Sequence, residues 1–358
     1  MRKAISFLIL TLLLLSACAP VRPIRELRIA ETVGCDLSPE GAALSVCVSE
    51  PQLRLTQDAP SLRLAMDRLR EQAASPALFF AHTQFVLAGR ALAADDLRPV
   101  LDLVARSEDM RLGTPLFLVK NAPAADAVRA GDDERDATAM LSALREDMAQ
   151  QGVSHAFSCG ELLETLHERG AALAAACALE DGSLRPAGYG VLKEGRCVAW
   201  IGGEAAQGVT LLRALGGHGD VRLDGATVTI SDCETDIAPQ WEGSRLIQLN
   251  ISVHLRAALT ETDGQPGVSD EAGRGRLERA LSDAARGWCE MLLRRAQALG
   301  ADFLDLGGAI ARRDPLRWSA ARAGWQEIFP NLPWTVTVTA TLDRTLDLGA
   351  PLTTGGAP

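Results

Sequence analysis

Along "RLIQLNISVHLRA" apolar and polar positions alternate. Ile247, Leu249, Ile251, Val253 and Leu255 share one set, and Gln248, Asn250, Ser252, His254 and Arg256 share the other. A period of two puts successive side chains on opposite faces of a strand. The stretch therefore predicts a long strand in an antiparallel sheet with one face on a core and one in water. "WTVTVTATL" repeats the pattern near the C-terminus. Elsewhere the period lengthens to that of a helix. Leu62, Leu64, Ala65 and Leu69 predict an amphipathic helix, and Leu277, Leu281, Ala284, Trp288, Leu292 and Leu299 predict a long one near 274–299.

Between these anchors the pattern predicts more elements. Leu27–Cys35 and Ala43–Val48 read as strands around a Ser-Pro-Glu-Gly turn. "ALFFAHTQFVLAG" and "TPLFLVK" read as buried strands, and "ADDLRPVLDLVARS" as a helix with an acidic first turn. Pro123 to Arg169 is mostly helical and polar, followed by the strand "AALAAACALE". A second region opens near Arg185 with a hairpin around a Glu-Gly turn. A helix from about Glu204 to Leu215 and a hairpin in "DVRLDGATVTISDCE" follow. No internal repeat is evident. The expected class is α+β: two to three mixed α/β domains, with mainly antiparallel sheets packed by long helices.

The first residues follow a different logic. Arg2 and Lys3 precede an apolar run from Ala4 to Ala17 of 14 residues, short of the roughly 20 a membrane span needs. A basic start, a short apolar centre and small residues at the end describe a secretory signal peptide. The run closes on Leu15, Ser16, Ala17 and Cys18, the lipobox order of an aliphatic residue, two small residues and cysteine. The expectation is a cleaved lipoprotein signal peptide at 1–17 and a mature chain beginning at Cys18, whose thiol carries diacylglycerol and holds the protein on a membrane. The mature chain divides into 18–185, with two subdomains an option, and 186–352.

Charge and chemistry narrow the function. With 36 basic and 46 acidic residues the chain is at −10, and without Arg2 and Lys3 it is near −12. That argues against nucleic acid, which needs a basic face, and against electrostatic docking on anionic lipid. No catalytic constellation, cofactor motif or metal-ligand spacing is present: the five histidines form neither HxxxH nor HExxH, and no CxxC, nucleophile elbow or phosphate loop occurs. Apart from Cys18 there are seven cysteines, of which Cys35 and Cys47 are the most plausible pair; most read as small buried apolar groups. His155 and Cys159, four apart, could meet on one helical turn as a base and nucleophile. "GGHGD" at 216–220 reads as a tight turn. Trp318, Trp325 and Phe329 form one helical stripe and with Trp288 could line an aromatic pocket, but filling the space between helix and sheet is the stronger reading.

The C-terminal stretch "ALGADFLDLGGAIARRDPLRWSAARAGWQEIFPNLPWTVTVTATLDRT" resembles the Ger(x)C family, the lipoprotein C subunits of spore germinant receptors. The matching positions are Asp302, Gly307, Arg312, Pro315, Trp318, Trp325, Phe329 and Pro330. "GYGVLKEGRCVAWIGGEAAQG", "IRELRIAETVGCD", "FFAHTQFVLAG" and "RSEDMRLGTPLFLVK" extend the resemblance over nearly the whole mature chain. Where the family has a Gly-aromatic-Gly turn, this chain has Asp305 and Leu306 before Gly307. Ala19 and Pro20 stand in place of Trp-Asp, and Ala311 in place of a histidine. The resemblance implies a non-enzymatic lipoprotein on the outer face of the spore inner membrane. It would be required for nutrient-triggered germination and work with receptor A and B subunits. The alternative is a solute-binding envelope lipoprotein serving a transporter, which would show two similar α/β lobes. Asp302 and Arg312 read as structural, Asp302 bracing the turn after the long helix and Arg312 reaching backbone carbonyls.

Overall fold

A computed structural model describes residues 27–48, 53–73, 77–132, 135–150, 155–215, 219–223, 225–262 and 271–343. The signal peptide, Cys18 and residues 216–218 of the "GGHGD" turn lie outside them.

Eight strands form the larger sheet: β2 (Thr32–Ser38), β3 (Gly41–Val48), β4 (Leu53–Ala59), β6 (Phe85–Ala88), β7 (Leu116–Val119), β8 (Ala171–Glu180), β9 (Ser183–Lys193) and β10 (Arg196–Ile201). Their spatial order is β10-β9-β8-β7-β6-β2-β3-β4. The centre, β8-β7-β6-β2, is parallel, as the α/β alternation of the first half requires, and hairpins flank it on both sides. Because the sheet is covered on both faces, its central strands are continuous apolar runs. Val86, Ala88, Leu116 and Leu118 enter one core, and Phe85, Leu87, Phe117 and Val119 the other. Helices α1 (Leu62–Ala73), α2 (Arg90–Asp95), α3 (Arg98–Arg106) and α6 (Cys159–Arg169) contribute to the first core. Helices α4 (Ala124–Val128) and α5 (Ala137–Gln150) contribute to the second.

The smaller sheet has the order β11 (Gly219–Leu223), β12 (Ala226–Glu242), β13 (Arg245–Thr262), β14 (Trp334–Asp343). Helix α8 (Glu271–Leu299) packs along it and against α7 (Glu204–Arg213), leaving the Thr-rich face open. The α7–α8 approach is close enough that a Cβ on Gly208 would stand 2.8 Å from the Trp288 carbonyl oxygen. The division at 185/186 falls inside β9, so the chain passes into its second half without leaving the larger sheet, and the first core runs on into the smaller sheet. The outcome is the mixed α/β class the patterns predict.

Several local expectations change, each for a physical reason. In β13 the alternation breaks at Ile247, which is 37% exposed, while Leu246 is 6% exposed. The partner register slips here, Gln240 facing Gln248 but Trp241 facing Leu246, so a bulge expels Ile247 and turns Leu246 inward. The strand is also not purely antiparallel, because it pairs with β14 in parallel. In α1, Leu64 is 49% exposed and Met66 takes its place in the core. "ALFFAHTQFVLAG" is two strands: β5 (Ala77–Phe79) pairs separately with β1 (Leu27–Ile29), and Thr83 turns the chain by donating to the Ala30 carbonyl at 2.8 Å. Asp95 and Asp96 end α2 rather than starting a helix, and Asp96 accepts from the Arg98 backbone at the start of α3.

Candidate functional site

The predicted signature residues converge on the segment between α8 and β14. It holds α9 (Leu306–Arg313), α10 (Pro315–Ala321), a tight turn at Arg322–Gly324, α11 (Trp325–Ile328) and a second turn at Phe329–Asn331. The aromatic stripe expected on one helix is thus carried on a broken one. Pro315 starts α10, where a missing N–H costs nothing.

Asp302 is the centre. It is 4% exposed, and its carboxylate accepts from the backbone N–H of Leu306 at 2.9 Å, of Gly307 at 2.7 Å and from the Trp325 indole N–H at 3.0 Å. Burial raises its pKa above the ordinary carboxylate value, the three donors offset part of that rise, and the nearby Asp305 charge adds to it. Trp325 packs edge-on to Trp318 at 5.2 Å and beside Phe329 at 5.3 Å. The indoles close on the backbone of α9: a Cβ at Gly307 would stand 2.8 Å from Trp318 and 3.0 Å from the Trp325 nitrogen. These contacts make the cluster core. Trp288, on α8, is buried against α7 and has no ring contact with the cluster.

Three residues beside this centre carry more than the sequence indicated. Asp305 holds a left-handed backbone (φ 59°), a conformation that favours glycine and that aspartate tolerates better than most side chains. Its carboxylate pairs with Arg169, at the end of α6, and with Arg312 at 3.2 Å. Arg312 therefore grips a carboxylate rather than the backbone carbonyls expected of it, and its side chain is 70% exposed. Gln297 of α8 donates to the carbonyls of Phe329 at 3.0 Å and Leu332 at 2.7 Å and accepts from the Trp334 indole at 2.9 Å. It locks the turn containing Pro330. Lys193 of β9 and Arg295 of α8 tie the larger sheet to the long helix, reaching the carbonyls of Leu299 and Trp200.

The nucleophile reading fails on geometry. Helix α6 begins at Cys159 with Ser158 as its cap, so His155 lies before the helix. The His155 ring packs on Phe157, and burial pushes the Cys159 thiol up to about 12, which keeps it protonated. All seven cysteines of the described residues are free. Cys35 and Cys47 do not pair: Thr32, not Cys35, faces Cys47, and the two thiols enter opposite cores. Among the described residues there is no group of three or more His, Cys, Asp or Glu that could hold a metal ion, and no helix long and apolar enough to cross a membrane.

Two family models match along the chain. One, the spore germination protein N-terminal domain, covers residues 21–178; the other, spore germination B3/GerAC-like, C-terminal, covers 187–346. The chain belongs to the Ger(x)C family of spore germination proteins. No curated protein matches it. Among solved structures it is similar to the crystal structure of the GerBC protein, at 16% identity over 87% of this chain and 96% of that one, with a TM-score of 0.60. That likeness shows a shared fold. In this Ger(x)C chain the Asp302–Gly307–Trp325 centre is what joins the long helix to the last strand.

Proposed function

We propose that this Ger(x)C chain is the C subunit of a spore germinant receptor. It is a non-enzymatic lipoprotein held by diacylglycerol on Cys18 at the outer face of the spore inner membrane, and it acts with A and B subunits in nutrient-triggered germination. The observation that carries the reading is the end-to-end family match, from residue 21 to residue 346 across both halves. Asp302, Gly307 and Trp325 support a structural role for their cluster, since their polar groups are hydrogen-bonded to one another. The division into 18–185 and 186–352 belongs to the same reading, with its seam in β9.

The reading is tested by co-purification of the tagged full chain from spore membranes in mild detergent. The expected result is recovery with the A and B subunits, and recovery alone overturns it. Cys18→Ala tests the anchor: the variant should lose lipid attachment and leave the membrane fraction, and detergent-sensitive membrane binding by the variant would refute lipidation at Cys18. Calorimetry against amino acids, sugars and nucleosides separates the receptor subunit from a solute-binding lipoprotein, because micromolar binding by the isolated chain would favour the latter.

A further inference from the structure

A half-open cavity of about 440 Å³ lies where the end of α7, the middle of β12 and helix α9 meet. Its lining is mainly polar, with the half-buried Ile237 and Ala309 as a small apolar edge. Its charged lining is Arg213, Arg312 and Arg313 against Asp236 and Asp305, a surplus of one positive charge in a chain whose net charge is −10.

The three arginines are held differently. Arg312 pairs with Asp305 at 3.2 Å, and Arg313 with Asp236; both guanidiniums are exposed, and such pairs are weak and exchangeable. Arg213 makes no direct ion pair among the described residues, the carboxylate charge acting on it being that of Glu161, which is already bonded to Ser158. Its guanidinium sits over the Phe157 ring, 5.1 Å from the centroid, so an aromatic face rather than an acid fixes its fork of N–H donors. The core does not require this arrangement, since Arg312 and Arg313 end α9 with side chains 70% and 48% exposed.

We propose that this groove docks an acidic segment of a partner polypeptide, whose carboxylates are received by Arg213, Arg312 and Arg313. A planar guanidinium takes a carboxylate in two parallel hydrogen bonds. The open mouth, with guanidiniums presented from two helices, Arg213 on α7 and Arg312 and Arg313 on α9, suits an extended segment with several acids better than a lone inorganic ion. Charge complementarity within an otherwise acidic protein also confines such a segment to this place. Naming the partner as a receptor subunit rests on the function proposed above; the preference for an acidic peptide does not.

The test uses the full chain in detergent, fluorescein-labelled hexaglutamate as probe, and anisotropy as readout. Hexaglutamate should bind and hexaglutamine should not, and binding should weaken as salt rises. Arg213→Gln combined with Arg313→Gln should weaken binding about 100-fold, at about tenfold for each lost charge-assisted contact. Asp236→Asn removes an internal competitor at an exposed position and should tighten binding several-fold, which keeps the test decisive if the arginine variants fold poorly. Equal binding of the two peptides overturns the proposal, as does an unchanged affinity in either variant. Displacement of the probe by inorganic phosphate at equal charge concentration would make this a free-anion site and overturn the peptide assignment. Failure of peptide binding with intact co-purification of the receptor subunits sinks the groove alone. Peptide binding without co-purification sinks the receptor reading alone.

Discussion

Replacing Asp302 with alanine strips the acceptor from three buried donors at once: the N–H groups of Leu306 and Gly307 and the indole of Trp325. Each buried donor left without a partner costs about 1–3 kcal/mol. Removing the carboxylate returns part of this, because its burial is unfavourable, as its raised pKa records. The expected net loss is about 3–5 kcal/mol, a large part of the stability of an ordinary domain. Asp302→Asn is the graded control. One amide oxygen can still serve Gly307 and Trp325, but the NH₂ then faces the Leu306 N–H, for about 1–3 kcal/mol. The measurement is urea unfolding followed by tryptophan fluorescence, reading the midpoint at unchanged slope. The pH dependence has a definite sign. The folded pKa of Asp302 lies above its ordinary value of 3.8, so the folded state binds more protons across that window. The stability this group contributes is fully present below 3.8 and is lost as pH rises through the folded value. Asp302→Asn should flatten that part of the profile. An alanine variant within about 1 kcal/mol of the parent would refute the reasoning, because no arrangement leaving three donors dry is that cheap.

Trp325→Ala should cost about 3–5 kcal/mol by leaving a cavity beside Trp318 and Phe329, read as a lowered unfolding midpoint and lower abundance. Gly307→Ala should cost about 1–3 kcal/mol, because both indoles must move off the new methyl group. At Asp305, glycine should be better tolerated than alanine by about 1–2 kcal/mol, since both lose the Arg169 and Arg312 pairs but only alanine strains the left-handed backbone; equal unfolding midpoints would contradict this. A reducing agent should leave the thermal midpoint unchanged, since the seven described thiols are free.

The parts of the fold that could be read from the sequence are those where one periodicity controls a whole element. The stripe of α8 and the alternation from Leu249 to Leu255 are visible because a long element repeats its choice of face many times. The misreadings sit where a single residue breaks the repeat. The bulge at Ile247 is a matter of register against β12, which the β13 sequence does not contain. The parallel pairing of β13 with β14 is likewise decided by α8 carrying the chain back along the sheet, and an alternating strand looks the same beside either kind of neighbour. Thr83 splits an apolar run because its hydroxyl bonds to Ala30, more than fifty positions earlier.

The candidate centre divides in the same way. Trp318, Trp325 and Phe329 announce a core because large aromatic groups bury the most area wherever they fall. Asp302 stood out in sequence only through the family resemblance; what it does, accepting from two backbone groups and an indole, depends on how the chain folds back through α9 and α11. Asp305 shows the limit most clearly. In the sequence it is a departure from a glycine pattern, and a substitution of glycine by aspartate looks like damage to a turn. In the structure the turn is kept, because aspartate is among the few side chains that tolerate φ 59°. The carboxylate then gains Arg169 from the first half of the chain. Asp305 thus combines a left-handed backbone with an ion pair that links the two halves. The Asp305→Gly variant therefore separates the two roles, since it restores the freedom and removes the link.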